Sequence, residues 1–276
     1  MLLHVIRAIA LAGLLGLAAA AQALELTGPQ RQGGLLAGVI EPGGQVEAFG
    51  QRIPVDESGR FVLGLGRDAP ASVRLRVTTA AGEVREHTLS VAPRDYEIQR
   101  IDGLPANQVS PDAETLARIR ADAARVREAR RRRIDERHFD AGWIWPLTGP
   151  ISGVYGSQRI LNGKPRQPHY GIDIARATGT PVRAPSDGVV TLAAEDLFFS
   201  GGTLIVDHGQ GLSSSFLHLS RIRVEPGDVV RQGEVIAEVG ATGRVTGAHL
   251  DWRMNWFDQR IDPSLLVPPM QEARAQ

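Results

Sequence analysis

Short apolar runs with a period of two, each broken within a few residues by glycine, proline or small polar clusters, constrain this chain more than any other feature. Val73, Leu75 and Val77 alternate with Arg74, Arg76 and Thr78, so one face of an extended segment is apolar and the other is largely charged. Ala81-Gly82 then turns the chain into a run containing Val84, Leu89 and Val91, and Pro42-Gly43-Gly44 and Glu57-Ser58-Gly59 separate earlier runs in the same way. Strands at this spacing over residues 24–107 predict a small β-sandwich. From Trp143 onward the texture is again β-rich, so the chain is expected to be mainly β. Within that half, the segment from Gly227 to Ile236 has the pattern of a hairpin. Lipoyl and biotinyl carriers use a similar hairpin with a lysine at its tip, but the single lysine, Lys164, is far away.

One helix interrupts the strands. Ser110-Pro111-Asp112 reads as its start, with Ser110 capping, and Leu116, Ile119, Ala123 and Val126 follow at helical spacing. The helix is expected to run to about His138 inside a linker of residues 108–142. It carries nine arginines, Arg130 to Arg133 in succession, against six acids from Asp112 to Glu136. An anionic polymer or membrane surface is one partner for such a helix. A solvated connector with ion pairs such as Glu128–Arg132 is the other reading, favoured because the acids are interleaved and the apolar stripe is weak.

Residues 1–23 read as an export signal. His4 and Arg7 precede an apolar run from Ala8 to Ala21, and Ala21-Gln22-Ala23 offers a small-x-small cleavage pattern. The run is shorter than the ~20 apolar residues of a permanent span. A periplasmic or secreted protein with no stable membrane span after cleavage is therefore expected.

Charge and cysteine usage close several functional classes. Thirty-one basic and 31 acidic residues leave no basic excess for nucleic acid. With no cysteine there is no disulfide, thiol nucleophile or thiolate metal site, so any metal rests on histidine and carboxylate. His169 and Asp173 are four apart, and in an extended segment both point to one face. His249 and Asp251 repeat this at a spacing of two, and His218 alternates with Leu217 and Leu219, which point to the opposite face. Three such segments side by side would converge three histidines and two carboxylates, a ligand chemistry that suits hydrolytic zinc. Spacing alone is weak evidence for this.

Context strengthens it. Gly153-Val154-Tyr155-Gly156-Ser157-Gln158-Arg159 precedes His169-Tyr170-Gly171-Ile172-Asp173-Ile174-Ala175. Then come Gly179-Thr180-Pro181-Val182-Arg183-Ala184-Pro185-Ser186-Asp187-Gly188, Phe216-Leu217-His218-Leu219, and Gly240-Ala241-Thr242-Gly243 leading to Ala248-His249-Leu250. In this order the motifs resemble the lysostaphin/LytM-type zinc endopeptidases of the bacterial cell wall, over residues 143–267. The resemblance implies an antiparallel β-sheet peptidase domain with one zinc ion, other divalent ions being alternatives. It makes His169 and Asp173 metal ligands, and makes His218 and His249 the catalytic histidines that act on water and the oxyanion. The third ligand is a histidine in most relatives, and here that position is Asp251, as in a subgroup carrying His-Leu-Asp-Trp-Arg-Met-Asn-Trp.

Aspartate oxygen binds zinc at a distance close to that of imidazole nitrogen. One histidine and two carboxylates would nevertheless cancel the charge of a divalent ion, so its water should be acidified less. A ligating His249 with His218 alone as base is an alternative arrangement. The activity implied is hydrolysis of peptide bonds in peptidoglycan stems or cross-bridges. The alternative is a weak or inactive LytM-like regulator of other murein hydrolases, with those enzymes or other envelope proteins as partners beside peptidoglycan.

Other residues have ordinary readings. His87 is a surface residue on a strand, and His208 sits at a hairpin turn outside the site. Trp143, Trp145, Trp252 and Trp256 pack as core or strand-end aromatics. Ser200-Gly201-Gly202 is a turn, and Ser213-Ser214-Ser215 follows strand alternation. Arg159 and Asn162 are candidates for the groove lining. Residues 268–276 form a tail.

Overall fold

Burial follows the sequence alternation closely in the segment Ser72–Thr78, where Val73, Leu75 and Val77 are buried between exposed Ser72, Arg74 and Arg76. The computed structural model describes residues 24–101, 112–132, 134 and 136–270. The proposed export segment therefore lies outside the described residues. Among them, no helix is long and apolar enough to cross a membrane.

The first seven strands are β1 (Glu25–Thr27), β2 (Leu35–Val39), β3 (Gln45–Ala48), β4 (Gln51–Ile53), β5 (Arg60–Gly64), β6 (Ser72–Thr78) and β7 (Val84–Ser90). They form two sheets, β1-β2-β5 and β4-β3-β6-β7, all antiparallel. Leu36, Phe61 and Leu63 of one sheet and Val46 and Leu75 of the other are fully buried in a shared core. This is the expected sandwich. His87 is half-buried on β7, opposite Leu75.

Strand β8 (Ile98–Ile101) and helix α1 (Ala113–Arg131) come next. The cap of α1 is Asp112, whose carboxylate accepts from the Thr115 amide at 2.7 Å. The expected cap, Ser110, lies outside the described residues. The helix stops at Arg131 instead of reaching His138. Beyond it the backbone bonds to a strand: the Ile134 amide donates to the Asp207 carboxylate (3.2 Å) and the His138 amide to the His208 carbonyl (2.9 Å). Glu128 faces Arg131 at 3.8 Å rather than Arg132, and both are exposed, so the pair adds little. Val126 and Ala129 seat the helix on Leu192, Ala194, Leu197 and Ile205.

The C-terminal strands are β9 (Ile151–Gly153), β10 (Gln158–Leu161), β11 (Lys164–Pro165), β12 (Gly171–Ala175), β13 (Pro181–Arg183), β14 (Gly188–Leu197), β15 (Gly201–Gly209), β16 (Leu212–Ile222), β17 (Val229–Val230), β18 (Val235–Val239), β19 (His249–Trp256) and β20 (Gln259–Ile261). A ten-stranded sheet runs β17-β14-β15-β16-β19-β12-β9, with β18 beside β13 and β16, and β20 beside β19. The expected hairpin between Gly227 and Ile236 does not form, since β17 pairs with β14 and β18 with β13 and β16. Asp187 draws the intervening turn away by accepting from the Gln232 amide (2.7 Å) and Arg231 Nη1 (3.1 Å).

The sandwich and the large sheet are joined in one hydrophobic cluster. Arg94 binds the buried Asp262 at 2.8 Å, and Tyr96 meets Tyr155 edge to face with ring centroids 6.2 Å apart. Most consequential for the site, β8 runs parallel to β10, with Gln158 opposite Ile98 and Leu161 opposite Ile101.

His208 is fully buried in β15, with its ring nitrogens 2.6 Å from the Asp187 carbonyl and 2.7 Å from Ser214 Oγ. A carbonyl only accepts, so Nδ1 carries a proton. Burial pushes its pKa down from 6.5 to about 4, only partly opposed by Asp187. The unfolded chain therefore takes up a proton between pH 6.5 and 4 that the folded chain refuses, and stability falls as pH falls through that window, by about 3 kcal/mol. Thermal melts from pH 7.5 to 4 should show this decline, and His208→Gln should flatten it. An unchanged slope in the variant would remove His208 as its cause.

Candidate metal centre

The order β16-β19-β12 lays the three chemistry-bearing segments side by side. Asp173 of β12 is the register partner of Asp251 of β19, and Asp251 is the partner of Leu217 of β16. On β19, Leu250, Trp252, Met254 and Trp256 are fully buried. His249, Asp251 and Arg253 therefore point to the opposite face.

Strict alternation would aim His218 away from this face, since Leu217 already shares it with Asp251. His218 instead has a left-handed φ of 66° at a register shift beyond Leu217. Strained backbone of this kind costs of order 1–3 kcal/mol and is characteristic of functional positions. It brings the His218 ring centroid to 4.9 Å from that of His249. The expectation that His218 simply alternates with its leucine neighbours is thus corrected: the bulge, and not the pleat, aims it.

His169 precedes β12 in a loop held by reciprocal backbone bonds. The Gly156 amide donates to the His169 carbonyl (2.7 Å) and the His169 amide to the Ser157 carbonyl (2.8 Å). Its Nε2 lies 3.2 Å from Asp173 Oδ1, yet both atoms are buried without a hydrogen-bond partner. Two ligands of one tetrahedral zinc lie roughly 3.4 Å apart at ordinary bond lengths. His169, Asp173 and Asp251 each offer a ligand atom within 4.8 Å of the others. The orphaned pair and the converging third donor fit a divalent cation.

Two close approaches make room for the carboxylates. A Cβ on Gly153 would lie 2.2 Å from Asp173 Oδ2, and one on Gly171 would lie 2.3 Å from Asp251 Oδ1 and 2.7 Å from the Trp252 carbonyl. Both glycines stand in the sequence motifs, where nothing but their identity hinted at this role.

The outer histidines have defined tautomers. His218 Nδ1 is 3.0 Å from the Thr242 carbonyl and His249 Nδ1 is 2.9 Å from the Gly247 carbonyl. In the neutral rings both Nδ1 atoms must donate, leaving each Nε2 with a free lone pair. Burial lowers the His218 pKa, opposed by the Thr242 carbonyl and Asp251, which favours the neutral form. His249 Nε2 lies 3.8 Å from Asp173 Oδ1.

Arg253 is the residue whose role the sequence did not reveal. Its guanidinium grips buried Asp251, with Nε 3.0 Å from each carboxylate oxygen and Nη2 2.5 Å from Oδ2. Burial alone would raise the Asp251 pKa, but Arg253, with His169 and His218, holds it below the usual carboxylate range. The second carboxylate is thus matched by a fixed cation. A divalent ion with His169, Asp173, Asp251 and Arg253 sums to +1, the same as with two histidines and one aspartate.

Arg159 Nε donates to Gln99 of β8 at 3.1 Å, and Asn162 occupies the β10–β11 turn with φ 48°. Trp145, Trp252 and Trp256 are buried packing residues, as expected. His208, placed at a turn by sequence, is a buried strand residue outside the cluster.

Gly153→Ala and Gly171→Ala should each weaken binding of one zinc equivalent roughly 10- to 100-fold, the usual effect of disturbing ligand support. Calorimetric titration of folded variants checks this. Wild-type affinity in both would mean that the carboxylate positions do not govern binding.

Residues 167–263 match the model of Peptidase family M23. A crystal structure of a putative M23 peptidase from Pseudomonas aeruginosa is 32% identical, with a TM-score of 0.67 over 86% of this chain and 94% of that one. An uncharacterized metalloprotease of Haemophilus influenzae is 30% identical over 192 residues, 69% of this chain and 36% of that protein. The DD-carboxypeptidase/endopeptidase Mpg of Neisseria meningitidis serogroup B is 39% identical over 104 residues, 38% of this chain and 24% of that protein. These matches span about a third of the first curated relative and about a quarter of the second. Together with the ligand geometry of the sheet, the structural match at 32% identity over most of both chains establishes that the chain belongs to peptidase family M23.

Proposed function

We propose that this protein is a metal-dependent endopeptidase, acting outside the cytoplasm on peptide bonds of peptidoglycan stems or cross-bridges. The observation that carries the reading is the orphaned His169 Nε2–Asp173 Oδ1 pair facing Asp251, beside two histidines with bare Nε2 atoms. His169, Asp173 and Asp251 would hold the ion, zinc being the natural match to imidazole and carboxylate at an open site. Bound there, it supplies Lewis acidity to a water and to the scissile carbonyl. His218 Nε2 is placed to take the proton of the attacking water. His218 would return that proton to the leaving amine, and a protonated His249 would hydrogen-bond the developing oxyanion through Nε2. Arg253 orients Asp251 and restores the positive field that the second carboxylate would cancel.

A second reading, a non-catalytic regulator of other murein hydrolases, is favoured by one observation: both Asp251 oxygens are already engaged by Arg253. Purified protein incubated with cross-linked sacculi and zinc separates the two. The enzyme reading expects stoichiometric metal, new muropeptides, and loss of both in Asp173→Ala. No metal, no products and indistinguishable wild-type and variant protein would overturn it.

Asp251→His alone should lower stability by about 3–5 kcal/mol, because it strands the largely buried Arg253. Asp251→His combined with Arg253→Gln should recover that loss and retain metal. Denaturant melts with metal analysis check this, and equal stability of both variants would contradict the role given to Arg253.

A further inference from the structure

We propose that Arg130, Arg253 and Arg260 form an anion subsite beside the metal centre that holds a carboxylate of the peptide substrate. The inference rests on the peptidase reading and names the substrate chemistry of the same groove.

Three elements bring these side chains together. Helix α1, seated by Val126 and Ala129 on β14 and β15, carries Arg130 over the sheet, where its Nη2 is 3.2 Å from Ser215 Oγ. Ser215 is the register partner of Arg253. Arg260 of β20 is the partner of Asn255, donates to its Oδ1 at 3.0 Å, and lies 5.5 Å from the centroid of the Tyr170 ring. Arg253 and Asn255 succeed Asp251 along one face of β19, so the backbone positions that carry the cluster begin two residues, about 7 Å, beyond that of the ligand.

Among the described residues the cluster has too few acids. Asp251 occupies Arg253, and exposed Asp258 is the acid that offsets Arg130 and Arg260. Arg130 Nε is buried and has no hydrogen-bond partner among the described residues. Burial, and then the neighbouring arginines, disfavour the charges of both Arg130 and Arg260. Like charges held together out of water destabilise the fold unless an anion enters. Planar guanidinium forks match a carboxylate through paired N–H bonds. An extended peptide advances about 3.4 Å per residue, so the group held would lie about two residues from the scissile bond.

The test uses zinc-loaded full-length protein with muropeptides released from sacculi and the same muropeptides after amidation of their carboxyl groups. Titration calorimetry should show the free acids binding at least tenfold more tightly. Arg130→Gln and Arg260→Gln should abolish that preference, while Arg118→Gln, which removes an arginine at the far end of α1, should preserve it. The thermal midpoint of Arg130→Gln should be unchanged or raised, since a crowded charge is removed; a lower midpoint would make Arg130 structural and overturn the proposal. It is also overturned if wild-type protein binds neither ligand or both equally, or if the preference survives in both glutamine variants. Arginine-dependent binding of inorganic phosphate tighter than that of the free muropeptides would likewise overturn it. Cleavage is read separately: discrimination without hydrolysis would leave the subsite standing and sink the peptidase reading, and hydrolysis without discrimination would do the reverse.

Discussion

Register along β19 is the constraint on which the rest of the structure depends. Its even residues, Leu250, Trp252, Met254 and Trp256, are the fully buried floor of the large sheet, while His249, Asp251 and Arg253 stand on the other face. A slip of one residue would expose two tryptophans and drive an ion pair into the core, so the apolar face fixes where the polar face must lie. The hydrophobic effect thereby sets the position of the chemistry. Asp173 and Leu217 then follow from pairing alone, and a local bulge adds His218.

Electrostatics on that face follows from the aspartate at position 251. A carboxylate buried there needs a cation, and Arg253 supplies one from two residues along the same strand. The aspartate and the arginine therefore work as a unit, and neither substitution is conservative without the other. The same arginine introduces a positive neighbour for Arg130 and Arg260, so the compensation at the metal centre also shapes the charge of the adjoining groove.

Much of this was legible in the sequence because it depends on short-range pattern. Alternation in residues 73–78 predicted the sandwich, and the spacing of His169 with Asp173 and of His249 with Asp251 predicted convergence. What escaped was set by distant partners. Nothing local shows that the strand of His208 will bond residues 134 and 138 and end the helix at Arg131. The turn at Arg231 and Gln232 looks like a hairpin until Asp187, more than forty residues away, claims its donors. Arg253 was visible as a letter in a motif, but its pairing with a neighbour on the same strand face depends on how deeply that face is buried.

The parallel pairing of β8 with β10 ties the exit of the sandwich to the segment that leads toward His169. Those bonds lie upstream of residues 102–111, so a break of the chain there would leave the sandwich hydrogen-bonded through β8 to β10 of the C-terminal half and held by Arg94 and Asp262. Covalent continuity and structural continuity thus follow different routes between the two halves. The sandwich acts as a splint for the loop that carries one ligand, and its melting should loosen that loop before the rest of the large sheet gives way.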